Sequence, residues 1–204
     1  MAKKSSGTAI VAAIAAAAAC AFASPASAAP KALFCPSGSA RVFAPWGDYN
    51  LYRLAPNGDL EFGSFAWSLS GGASVVSGNE PFYVAGDDDS HSLALPAGSS
   101  ATSGASCLGL AGLWVRFFAE TDPGATSNLR VQVVYRGLVG QVLSILDVKT
   151  LPPAGDWGPS PQLLVLGGLT APLGTSSVQL RFTPVNGTGT WHIDDVYVDP
   201  LMQI

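Results

Sequence analysis

The sequence predicts an all-β protein, a sandwich of two antiparallel sheets. Three observations carry that expectation. Strand-like runs recur along the chain, punctuated by Gly and Pro. Three of them, residues 113–120, 129–136 and 178–183, alternate apolar and polar side chains, the period of a strand buried on one face. No stretch beyond residue 28 repeats its apolar residues at helical spacing between capping residues.

The first 28 residues read as a signal peptide rather than as part of the fold. Lys3 and Lys4 supply the positive start, residues 9–23 the apolar run, and Ala26-Ser27-Ala28 the small-residue cleavage site. The run is too short and too rich in alanine to span a membrane. Cleavage after Ala28 leaves residues 29–204 as one exported domain. A lipid anchor through Cys20 is the alternative, with Ala17 standing where such signals usually carry leucine.

Within the domain, residues 29–39 form an extended lead-in and Pro45 and Gly47 a turn. Residues 49–54 read as a strand, Pro56-Asn57-Gly58-Asp59 as a turn, and residues 60–65 as a second strand continued through 67–69. Residues 73–76 are strand-like. Residues 82–84 lead into the acidic loop 86–90, and 92–95 make a short strand. Residues 97–106 read as a linker of small residues. The three alternating strands follow, with apolar strands at 142–148 and 163–166 between them, parted by a Pro/Gly-rich loop that carries Trp157. Asn186-Gly187 turns the chain into a last strand, residues 191–199.

Without Lys3 and Lys4, 8 basic residues face 14 acidic ones, a formal charge of −6. Such a chain does not suit nucleic acid or an anionic membrane as partner. Two cysteines remain after cleavage, Cys35 and Cys107. In an exported chain they most simply form one disulfide, worth up to about 4 kcal/mol for the loop it closes. Enzymatic readings find little support. Ser90-His91 comes without a Gly-x-Ser-x-Gly elbow, His192 lies in the last strand, and no pair of carboxylates can be placed across a cleft. The run Asp87-Asp88-Asp89 lacks the rest of a calcium-binding EF-hand loop and reads as solvated.

Two stretches carry a resemblance. Asn57-Gly58-Asp59-Leu60-Glu61-Phe62-Gly63, followed by Trp67, resembles the opening of many carbohydrate-binding modules of the galactose-binding-like jelly-roll fold. Trp191-x-Ile193-Asp194-Asp195-Val196 resembles their closing strand. Leu60 and Ala66 depart from that pattern. The middle of the chain, through Gly78-Asn79-Glu80-Pro81, residues 95–103 and Arg116-Phe117-Phe118, resembles a group of secreted bacterial proteins. The motifs span residues 57–198. The resemblance implies a jelly-roll β-sandwich whose first and last strands pair, and a structural Ca²⁺ at that edge. The implied ligands are Glu61 with Asp194 or Asp195, completed by carbonyl oxygens. It also implies glycan binding on one sheet face.

Strand alternation proposes that face. If Leu113, Val115, Phe117, Val131, Val133, Tyr135, Leu180 and Phe182 point inward, the intervening residues point outward. Trp114, Arg116, Phe118, Arg130, Gln132, Arg136, Gln179 and Arg181 would then share one surface, with Trp157 as a loop-borne stacking platform. Arg and Gln donate to sugar hydroxyls, and an aromatic ring stacks on a sugar ring. The expectation is a secreted, non-catalytic glycan-binding module. The alternative is a structural envelope or matrix protein that binds other proteins.

Overall fold

The computed structural model describes residues 38–106, 112–167 and 171–199. The expected signal peptide, Cys20, and the expected bridge between Cys35 and Cys107 lie outside them. Two antiparallel sheets face each other, as expected. One contains β1 (Arg53–Leu54), β3 (Ser74–Ser77), β4 (His91–Pro96), β6 (Gly112–Thr121), β9 (Gly158–Pro159), β10 (Leu163–Leu166) and β12 (Thr190–Asp199). Its order is β10-β6-β12-β4-β3, with β1 pairing β12 and β9 pairing β6. The other has the order β2-β5-β11-β7-β8: β2 (Ser68–Ser70), β5 (Ser100–Thr102), β11 (Thr175–Val185), β7 (Asn128–Gly137) and β8 (Val142–Leu151). We call them the seven-stranded and the five-stranded sheet.

The alternation read from the sequence is the alternation observed. Leu113, Val115 and Phe117 of β6 meet Val131, Val133, Tyr135, Leu180 and Phe182 of the other sheet in one buried core. Phe117 and Phe182 meet edge to face at 5.1 Å between centroids, and Trp67 stacks on Phe182 at 6.1 Å. Trp191 is buried and donates its indole N–H to Ser127 O at 3.0 Å, so its polar atom is satisfied inside.

Two expected elements differ. Residues 60–65 form turns rather than a strand. The Asn57 side chain organises them, donating to the carbonyls of Gly63 and Phe65 and accepting from Phe62 N–H. Leu60 and Ala66 take positive φ, which breaks strand geometry. Within the expected linker, Ser100–Thr102 is a strand, held by β11 on one side and β2 on the other. The strand that pairs with the last one is β1, before the Asn57 turn, and not the stretch with Glu61: Arg53 stands opposite Val198 and Leu54 opposite Tyr197. Gly58 makes that edge possible, because a Cβ there would lie 2.5 Å from Val196 O.

Candidate functional site

The eight residues expected on one sheet face divide between two sheets. β6 pairs with β12 in the seven-stranded sheet, whereas β7 and β11 lie in the other. Trp114, Arg116 and Phe118 therefore point away from Arg130, Gln132, Arg136, Gln179 and Arg181. Strands adjacent in sequence were read as neighbours in one sheet, but the β6–β7 connection crosses from sheet to sheet. Trp157 also lies on the seven-stranded side, against the aromatic cluster described next.

The outer face of the seven-stranded sheet is covered by the segment before β1. Phe43, Tyr52, Phe118 and Tyr197 form a second buried cluster there, with Trp46, Trp114 and Trp157 packed against it. Phe43 stacks on Phe118 at 5.4 Å, and the Arg116 guanidinium lies 4.3 Å above the Phe43 ring. Arg116 also donates to Asp48 Oδ2 at 2.9 Å and twice to Ser160 O, at 2.9 and 2.8 Å. Burial would raise the Asp48 carboxyl. Hydrogen bonds from Tyr52, Asn50 N–H and Arg116 outweigh it and hold the carboxyl below its ordinary range. Arg116 and Phe118 are thus buried beneath this layer and hold it in place.

The outer face of the five-stranded sheet is polar. One cross-strand row reads Ser68, Thr102, Arg181, Gln132, Asp147, each opposite the next. A neighbouring row places Thr183 opposite Arg130 and Arg130 opposite Thr150. Arg136 Nε donates to Gln179 Oε1 at 2.6 Å, and Gln179 Nε2 donates to Ser103 O at 2.7 Å. Arg181 Nε donates to Thr102 Oγ1 at 3.2 Å, and Gln132 Nε2 to Asp147 Oδ1 at 2.8 Å. Gln179 and Val134 are buried, while Arg130, Gln132, Arg136 and Arg181 are half-buried around them. The result is a floor of fixed donors and acceptors, preorganised by side-chain pairs. A cavity of about 320 Å³ elsewhere, lined by Phe117, Leu151, Trp191 and the prolines of residues 152–161, is mostly apolar and offers no comparable donors.

The acidic residues gather at a bulge in β12, inside the seven-stranded sheet. A bulge interrupts the β12–β6 register between Asp194 and Tyr197, and Asp195 takes a positive φ. Glu80, Asp194 and Asp195 are all buried. Asp194 accepts from Glu80 N–H at 3.2 Å and from Asp195 N–H at 2.8 Å. Glu80 accepts from the N–H groups of Phe82 and Val84, and Asp195 from Ala85 N–H at 3.2 Å. Asp195 Oδ1 is buried without a hydrogen-bond partner. Burial pushes the Asp194 carboxyl up to about 8, and burial with Asp194 and Glu80 alongside pushes Asp195 up as well. Asp89, near Glu80, is raised to about 6 by burial and by Asp59 and Glu61.

Glu61 is occupied differently from the expectation. It accepts from Ser90 N–H and His91 N–H, both at 2.7 Å, and meets the Ser90 hydroxyl and His91 Nδ1. Glu80 stands beside the acid pair instead. In the sequence Gly78-Asn79-Glu80-Pro81 carries a resemblance but no metal role, so this fully buried carboxylate is missing from the expected ligands. Among the described residues, no three His, Cys, Asp or Glu side chains already converge as metal ligands. Ser90, Glu61 and His91 do not form a proton relay, because Ser90 Oγ and Glu61 Oε2 both meet the same ring nitrogen of His91.

No protein-family model matches the chain, and no curated protein matches it in sequence. Its fold is similar to solved structures. The enzymatically active domain of bacteriophage CBA120 tailspike protein 4 superposes with a TM-score of 0.51 at 15% identity, over 70% of this chain. The match spans 20% of that protein's chain. A family 61 carbohydrate-binding module, TmCBM61, solved with β-1,4-galactotriose, gives 0.48 at 17% identity, over 72% of this chain and 98% of its own. The CBM22-1 xylan-binding domain of Paenibacillus barcinonensis Xyn10C gives 0.45 at 15% identity, over 65% and 84%. At these identities the likeness is one of fold.

Proposed function

We propose that this chain is an exported, non-catalytic glycan-binding module whose binding surface is the outer face of the five-stranded sheet. The observation that carries the reading is the row Ser68, Thr102, Arg181, Gln132, Asp147, with Arg136 and Gln179 beside it. Sugar hydroxyls both donate and accept, and this row offers both. Its side chains are held by one another, so less conformational entropy is lost on binding. The test is polysaccharide pull-down with the folded protein. Retention on at least one glycan is expected. No retention on any glycan, cell-wall polymers of the producing cell included, would end the reading.

A structural Ca²⁺ at the β12 bulge belongs to the same proposal, with Glu80, Asp194 and Asp195 rather than Glu61 as its carboxylates. All the donors there are hard oxygens, and Asp195 Oδ1 has no other partner. The ion would supply positive charge to a buried acidic cluster and tie β12 to residues 80–85. Melting with chelator and with millimolar Ca²⁺ tests it: the midpoint should rise in Ca²⁺, and an unchanged curve would remove the metal from the account.

A protein-binding role is the second reading. Phe62 and Phe65 favour it, standing 77% and 68% exposed on the turns that Asn57 holds rigid. Capture of partner proteins by a chain that retains no glycan would favour that reading.

A further inference from the structure

The charges of this acidic chain are not spread evenly between its sheets. The strands of the five-stranded sheet carry Arg130, Arg136, Lys149 and Arg181 against a single acid, Asp147. Asp194, Asp195 and Glu120 lie on strands of the other sheet. Among the described residues the salt bridges join His91 to Glu61, Arg116 to Asp48 and His192 to Asp122. None reaches Arg130, Arg136 or Arg181, and the one acid on their face is engaged by the neutral Gln132.

We infer that this face takes an anionic glycan, one bearing carboxylate or sulfate groups, with Arg130 and Arg181 as the anion-binding residues. The inference rests on the glycan-binding reading above and narrows its ligand class. Arg181 stands opposite Gln132 and Arg130 opposite Thr183, so the two arginines are diagonal neighbours, roughly 7–8 Å apart at the backbone. Like charges at that separation repel, and an anion between them relieves the repulsion. Arg130 is half-buried and its Nε has no hydrogen-bond partner, so the guanidinium is not saturated by its own chain. Arginine matches carboxylate and sulfate with two parallel hydrogen bonds, which lysine cannot. Gln132, Thr102 and Thr183 stand in the same rows to meet hydroxyls. Arg136 lies further along β7, about 20 Å from Arg130 for six residues of strand, so the charged track is long enough for several sugars of a chain.

Affinity electrophoresis and calorimetry decide it, with polygalacturonate and dextran sulfate as acidic probes and xylan and β-1,4-galactan as neutral ones. The acidic polymers should bind the wild type more tightly than the neutral ones, and more weakly as salt is raised. Arg130→Gln and Arg181→Gln should each cost about tenfold or more on the acidic polymers and much less on the neutral ones. Arg181→Lys should recover part of the loss, and Lys149→Gln should change little. Circular dichroism melting of each variant confirms that it is folded. Binding of polygalacturonate alone assigns the carboxylate, and binding of both acidic polymers assigns the anion in general. Retention of neutral polymers only would overturn the inference and leave the glycan reading standing. Retention of no polymer would overturn both. Acidic-polymer binding that the arginine variants do not weaken would overturn the inference as charge attraction from elsewhere on the surface.

Discussion

Removing the Asp48 carboxylate isolates the contribution of the layer that covers the seven-stranded sheet. Arg116 and Asp48 are each 8% exposed at the side chain, and their 2.9 Å contact is supported by Tyr52 and by Ser160 O. In Asp48→Ala the guanidinium stays buried against Phe43 with its counter-charge gone. Breaking a buried pair by removing one partner costs about 3–5 kcal/mol. For a domain of this size that is a fall of roughly 6–20 °C in melting temperature. Arg116→Met in the same background removes the stranded charge and should recover much of the loss. The pH profile adds an independent reading. The Asp48 carboxyl is held low in the folded state, so its contribution is present above the unfolded value near 3.8 and is lost as pH falls through the lower folded value. Differential scanning fluorimetry of the three proteins from pH 3 to 7 reads all of this. A fall of under about 2 °C in Asp48→Ala at neutral pH would mean that Arg116 reaches water easily, and the packing argument for this layer would be wrong.

Other outcomes follow from particular contacts. Gly58→Ala would press a methyl group into Val196 O, and urea unfolding should show a loss of about 1–3 kcal/mol as the β1–β12 edge shifts. Phe182→Ala removes the ring that meets both Trp67 and Phe117, and should cost about 3–5 kcal/mol in the same assay. If the β12 bulge holds Ca²⁺, an ion at about 100 times its dissociation constant adds roughly 2.7 kcal/mol. Asp195→Asn should abolish the rise in melting temperature with Ca²⁺, whereas Glu61→Gln should keep it.

The long strands were legible because their alternation is a local record of burial. Leu113, Val115 and Phe117 could not serve a helix at that spacing, and all three are in the core. Which strand joins which sheet was not legible. Nothing local in residues 122–127 says that the chain crosses from one sheet to the other, and that crossing parts Arg116 from Arg130. The coil at 60–65 looked like a strand because Leu60 and Phe62 alternate. The deciding feature is the Asn57 side chain, whose bonds reach six and eight residues ahead. Asp194 and Asp195 could be picked out in the closing strand, but the partner of a buried acid depends on tertiary contact. Glu80 lies 114 residues before Asp194, and a turn motif gave no hint that its carboxylate would be buried.

The most direct test of the binding face is a glycan array probed with three proteins: wild type, the double variant Arg130→Gln/Arg181→Gln, and Trp157→Ala on the opposite sheet. The wild type and Trp157→Ala should retain the same glycans, and the folded double variant should lose them. Retention by the double variant with loss in Trp157→Ala would place the site on the seven-stranded sheet and contradict the account.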